Sequence, residues 1–133
     1  MSGFILPTQP VPAVSMNPKF LIVYGRPKAG KTSALAQLSN NLIIDLEGGS
    51  QFIDAMAVQA RSVSDLGNIA QAIRNKNTET GHNFYKHITI DNATRLEEMC
   101  LSYAKQLYMQ TPMGKNYKGD DVRTLPNGSG YMY

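Results

Sequence analysis

The sequence predicts an α/β fold built on a parallel sheet with right-handed crossovers. Three observations carry this. The short apolar runs "KFLIVYG", "NLIIDLEGG" and "KHITID" alternate with segments of helical period. Each run stops at a glycine or an acid. A loop of the form G-x-x-x-x-G-K-T, "GRPKAGKT", falls between the first run and the first helical segment. Continuous apolar runs of this length are how strands buried on both faces of a parallel sheet look.

In chain order, Pro7, Pro10, Pro12 and Pro18 remove backbone donors and push their predecessors toward extended geometry, so residues 1–18 read as an irregular arm. "KFLIVYG" is the first expected strand. "KTSALAQLSN" follows with Ala34, Leu35 and Leu38 at helical spacing, and stops at Asn40 and Asn41, residues that tolerate the left-handed conformation. "NLIIDLEGG" is the second strand. "FIDAMAVQ" fits a short helix or an extended piece equally. In "SDLGNIAQAIRNKN", Ser64 is the expected cap, Asp65 favours the positive helix end, and Leu66, Ile69, Ala70 and Ile73 form one apolar stripe. The third strand is Lys86 to Asp91. A helix from Ala93 to about Gln110 then repeats apolar residues at Leu96, Met99, Cys100, Tyr103 and Leu107. From Thr111 onward the chain is turn-rich and without period, and reads as a long loop.

At 133 residues and 42% hydrophobic, the chain suits one domain, expected over residues 19–133. A net charge of +3 suits a polyanionic partner and equally an ordinary solvated surface. One cysteine excludes an internal disulfide and a Cys-rich zinc site, and Cys100 is expected as a small buried residue on its helix. No run has the length of a membrane span, and Pro7 interrupts "FIL", so a cytoplasmic protein without a membrane partner is expected.

A chance match to the glycine-loop pattern in a chain this long is roughly a 1% event, and the strand-before, helix-after context narrows it further. Such loops turn consecutive backbone N–H groups toward an anion. Gly25 and Gly30 are expected to supply backbone freedom, Lys31 a point charge on the terminal phosphates, and Thr32 a hydroxyl for Mg²⁺. Arg26, Pro27, Lys28, Ala29 and Ser33 complete the cradle, with Lys28 as a solvated side chain. A cation of this kind needs one further carboxylate at a strand end, and Asp91 after "ITI" fits. The position after Asp91 is Asn92, which cannot act as a base, so Glu47 at the end of the second strand is the candidate to orient water. Of Asp45 and Glu47, one is expected to serve the site and the other not.

"GRPKAGKT" resembles the Walker A loop, "HITID" the Walker B strand, and "IIDLEGG" the strand ending in the catalytic glutamate of RecA-type recombinases. Over roughly Lys19 to Tyr133, the chain is more closely similar to the short RecA-core ATP-binding proteins of tailed phages, in "IDLEGGS", "IDNATRLEE", "TPMGKNYKG" and "LPNGSGY". The resemblance implies a RecA-like P-loop NTPase core with ATP and Mg²⁺ as cofactors. It implies a homo-oligomeric ATPase in the cytoplasm of a bacterial host, acting in recombination or annealing on single-stranded DNA. Carried over by position, Gly25 to Ser33 hold phosphate, Thr32 and Asp91 hold Mg²⁺, and Glu47 with Lys31 serves catalysis. The loop after the Walker B helix faces DNA in such proteins, which points to Lys115, Tyr117, Lys118 and Arg123. RecA-type cores place a later strand between the two Walker strands, and the sequence stops before one. The front portion of a domain, incomplete at its C-terminus, is therefore expected, with hydrolysis belonging to the full-length protein. A P-loop kinase of small molecules or nucleotides, or a nucleotide-binding fragment without turnover, is the alternative.

Overall fold

The computed structural model describes residues 8–10, 19–52 and 54–133. Most of the expected irregular arm over residues 1–18 therefore lies outside the described residues. Three parallel strands, β1 (Asn41–Asp45), β2 (Ala57–Gln59) and β3 (His87–Asp91), form a sheet in the order β2-β1-β3. Helices α1 (Lys31–Ala36), α2 (Val63–Thr80) and α3 (Ala93–Met109) surround it. The expected α/β class with a parallel sheet is what the chain adopts.

The central strand β1 is buried along its whole length, as its unbroken apolar run requires. In register, Leu42 lies beside Ile88 and Ile44 beside Ile90. Ile44, Leu46 and Ala60 form the core, with Val58, Leu66 and Ile69 and with Leu96 and Met99 packed on them, so α2 and α3 cover this face. Side chains alternate across a strand, so Asn41 and Ile43 point the other way. There the Asn41 Nδ2 donates to the Leu35 carbonyl at 2.8 Å and ties α1 to the opposite face. The Thr89 hydroxyl donates to Asn41 Oδ1 at 3.0 Å, so this buried amide is satisfied from both neighbours.

The run 19–25 is not a strand. Phe20, Leu21, Ile22 and Tyr24 are 81, 63, 72 and 92% exposed, and the segment joins no ladder. Apolar composition reports a tendency toward burial but names no hydrogen-bonding neighbour. Both edges of β1 are taken by β2 and β3, and the run pairs with neither outer strand.

Elsewhere the corrections are local. Helix α2 is capped by Ser62, not Ser64. Asp65 N–H donates to Ser62 Oγ at 3.1 Å while the Asp65 carboxylate accepts from Ser62 N–H at 3.0 Å, a reciprocal box that needs the three-residue spacing Ser62 has and Ser64 lacks. The ambiguous "FIDAMAVQ" ends in β2. Cys100 is exposed and Tyr103 is 59% exposed, because the second half of α3 turns Ala104 and Tyr108 inward to meet the chain's last residues.

That last segment is folded onto α3. Val122 is 1% exposed, and Tyr108 meets Tyr117 edge-on and Tyr133 at a tilt, with ring centroids 5.2 and 5.4 Å apart. Gly130 passes so near Val122 that a Cβ there would lie 1.7 Å from its carbonyl oxygen, a contact only glycine permits.

Candidate functional site

Residues 26–30 make a tight turn, with Ala29 N–H donating to the Arg26 carbonyl at 3.2 Å. Lys28 and Gly30 both have positive φ, at 61° and 82°. Glycine is the residue that takes this conformation without strain, and Gly30 uses it at the entrance to α1. Gly25 does not: its φ is ordinary, and a Cβ there would meet only normal contacts at 3.8 and 3.9 Å. The backbone freedom expected of both glycines is thus needed at Gly30.

Lys31 folds back across the loop, its Nζ donating to the carbonyls of Gly25 and Arg26 at 2.9 Å each. An ammonium carries three donors, so one remains for another acceptor. A cavity of about 230 Å³ opens here, lined by Lys28, Gly30, Lys31, Thr32 and Ser33. The Thr32 hydroxyl donates to Asp91 Oδ2 at 2.5 Å across 59 positions of sequence. This bond joins the start of α1 to the end of β3, bringing the two predicted cation-facing residues to one point.

Glu47 stands just beyond β1, on a loop several of whose donors converge on Asp45. Asp45 is 4% exposed. Its Oδ1 accepts from the N–H groups of Glu47 and Gly48 at 2.9 and 2.7 Å, and its Oδ2 from the N–H and hydroxyl of Ser50 at 2.8 and 2.6 Å. The Glu47 carboxylate accepts from Asn92 Nδ2 at 2.6 Å. The other end of that amide, Asn92 Oδ1, accepts from Arg95 N–H at 2.9 Å and caps α3. Asn92 follows Asp91 directly, so Glu47 is held one residue from the Thr32–Asp91 pair. Sequence reasoning set Asn92 aside because it is no base. Its position immediately before a helical run was the available signal of a cap.

Burial pushes the Asp45 carboxyl up, but hydrogen bonds from the Ser50 side chain and from the N–H groups of Ser50, Gly48 and Glu47 outweigh it and hold the group at about 2, below its ordinary 3.8. A carboxyl depressed by folding contributes its stability above the unfolded value and loses it as pH falls through the folded value. The contribution of Asp45, on the order of 1–2 kcal/mol after allowance for solvent screening, should be whole above 3.8 and disappear toward 2. Melting curves from about pH 5 to about pH 2 should show the stability gap between the parent and Asp45→Asn closing in that window. A constant gap would contradict it.

The four residues expected at a DNA face divide into two pairs. Arg123 donates to both oxygens of Asp121, at 2.7 to 3.1 Å, and these bonds hold the Asp121 carboxyl below its usual range; the guanidinium also pairs with Glu97 at 3.4 Å. Tyr117 donates its hydroxyl to the Asp121 carbonyl at 2.8 Å. Both serve the packing of the last segment. Lys115 and Lys118 are exposed and without an ion-pair partner among the described residues. No described helix is long and apolar enough to cross a membrane.

No curated protein and no solved structure matches the chain. A family model described as an AAA domain matches residues 17–121, a span that contains the glycine loop, Glu47 and the Thr32–Asp91 pair. With that match extending over most of its length, and the phosphate-type loop and strand-end acid joined in space, the chain belongs to the AAA domain family of P-loop nucleotide-binding proteins.

Proposed function

We propose that the protein binds ATP with Mg²⁺ and hydrolyses it, and that it works on single-stranded DNA in recombination or annealing. The observation that carries the nucleotide reading is the bond between Thr32 and Asp91, which turns two distant motif residues into one site. The donor chemistry fits Mg²⁺: a hydroxyl and a carboxylate oxygen are hard ligands, suited to a cation that keeps most of its water and takes other ligands from substrate phosphates. When bound, Mg²⁺ would neutralise charge on the phosphate oxygens.

The chain's own part is positioning and proton handling. Backbone N–H groups of the loop from Gly25 to Ser33, other than Pro27, which has none, and Ala29, whose N–H is held by the Arg26 carbonyl, receive phosphate oxygens, and Lys31 exchanges its two carbonyl partners for them. Glu47 orients a water and takes its proton, while Asn92 fixes the carboxylate that does so. Two exposed lysines, Lys115 and Lys118, support a contact with a nucleic-acid backbone.

ATP hydrolysis measured with and without single-stranded DNA tests this reading, with stimulation by DNA as the expected result. Phosphoryl transfer to a small acceptor would instead favour a kinase. The variant Lys115→Ala/Lys118→Ala should bind single-stranded DNA more weakly and lower the salt slope by about 1.4, the value for two phosphate contacts on a single strand, with ATP affinity unchanged. An unchanged DNA affinity and slope would remove these lysines from the interface.

A further inference from the structure

We propose that Asp45 is the positioning residue for Glu47: its buried carboxylate gathers residues 46–50 into one fixed turn and thereby sets Glu47 beside the end of β3. The loop begins well anchored, because Leu46 is in the core and its N–H donates to the Asp91 carbonyl at 2.7 Å. Beyond Leu46, packing ends. Glu47 is exposed, and a cavity of about 350 Å³ borders the loop, lined by Gly48, Ser50, Gln51, Ala57 and Gln59 as well as by Asp45 itself. With open space on that side, hydrogen bonds must hold the turn, and four of them end on Asp45.

The division of those bonds explains why an aspartate is needed. One oxygen takes the N–H groups of Glu47 and Gly48 and closes the turn in which Gly48 has a φ of 87°. The other takes both donors of Ser50 and brings the chain back. An asparagine keeps the first oxygen and presents an N–H₂ group where the Ser50 donors point, so half of the turn is lost. Alanine loses all of it, and the N–H groups of Glu47, Gly48 and Ser50 are left without this acceptor. Asp45 lies beside Asp91 in the register of β1 and β3, but all four hydrogen bonds of its side chain go to Glu47, Gly48 and Ser50 and none to Thr32, Asp91 or a group assigned to phosphate, so its bonds act on the place of Glu47.

The catalytic consequence depends on Glu47 being the water-orienting group, and the variants separate the two claims. Asp45→Asn should raise amide hydrogen exchange at Glu47, Gly48 and Ser50 by about 10-fold and lower kcat by about 10-fold, with the Kd for ATP unchanged. Asp45→Ala should lower kcat further. In a Glu47→Gln background, Asp45→Asn should reduce kcat no more, because the residue it positions is already disabled. Ser50→Ala, which deletes one bond and leaves the rest, should lower kcat by about 3-fold and supplies the same test should the Asp45 variants not fold. A kcat untouched by Asp45→Asn or Ser50→Ala while Glu47→Gln is inactive overturns the positioning role and leaves Glu47 in place. Full turnover in Glu47→Gln overturns the reading of Glu47 itself.

Discussion

Lys31→Ala is expected to weaken ATP binding by about 10²-fold or more while leaving the fold intact. The magnitude follows from losing hydrogen bonds between an ammonium and phosphate oxygens, each worth about 1.5–3 kcal/mol to a charged group. The fold should survive because Lys31 is at the surface of the turn and its two bonds go to the carbonyls of Gly25 and Arg26, which water can satisfy. No core residue touches this role: the packed cluster of Ile44, Leu46 and Ala60 lies on the side of the sheet covered by α2 and α3. Calorimetric titration with ATP, accompanied by circular dichroism, checks both halves. Equal affinity in variant and parent with matching spectra would remove Lys31 from the phosphate site.

Glu47→Gln should lower turnover by a factor on the order of 10² or more and keep ATP affinity. The amide is close in shape to the carboxylate and can still accept a hydrogen bond from Asn92, so the loop and the cap of α3 are preserved. What it loses is basicity. The loss should therefore fall in kcat and spare Kd, which separates a chemical role from a binding one. Turnover intact in this variant would place the water-orienting group elsewhere.

The sequence made β1, β3, α2 and α3 legible because each carries a pattern that only one period explains. "LIID" is an apolar run closed by an acid and is buried throughout, whereas "ITID" alternates isoleucine with threonine before its acid and, as an outer strand, leaves Ile88 and Ile90 half exposed where burial on both faces is expected; α3 repeats apolar residues over 17 positions. The run "FLIVY" carries the same signal and forms no strand: among the described residues the outer edges of β2 and β3 have no strand partner, yet the run pairs with neither, because pairing is a property of the whole sheet that an apolar run does not encode. Cys100 and Tyr103 fit the helical stripe yet stay exposed, since which arc of a helix is covered depends on what packs there. In the candidate site, motif and position point to Lys31, Thr32, Glu47 and Asp91 as the residues proposed to bear the chemistry, and the structure brings Thr32 and Asp91 together. That Asp45 gathers the loop and Asn92 holds the Glu47 carboxylate was not legible, because such contacts leave no spacing rule in the chain, although Asn92 stands where a helix cap is expected. Arg123 and Tyr117 illustrate the converse: a basic and an aromatic residue in a loop suit nucleic acid, and here they pair with Asp121, Glu97 and Tyr108.

The pairing of Thr32 with Asp91 is the feature on which the nucleotide reading depends, and the Mg²⁺ dependence of ATP affinity tests it most directly. Titrating ATP into the protein with Mg²⁺ and again with a chelator should give binding at least about 10-fold tighter in the presence of the metal, a difference of about 1.4 kcal/mol. The same pair of titrations on Asp91→Asn should show that difference largely gone. Binding of equal strength with and without Mg²⁺ in the parent, or no binding of ATP at all, would contradict the assignment.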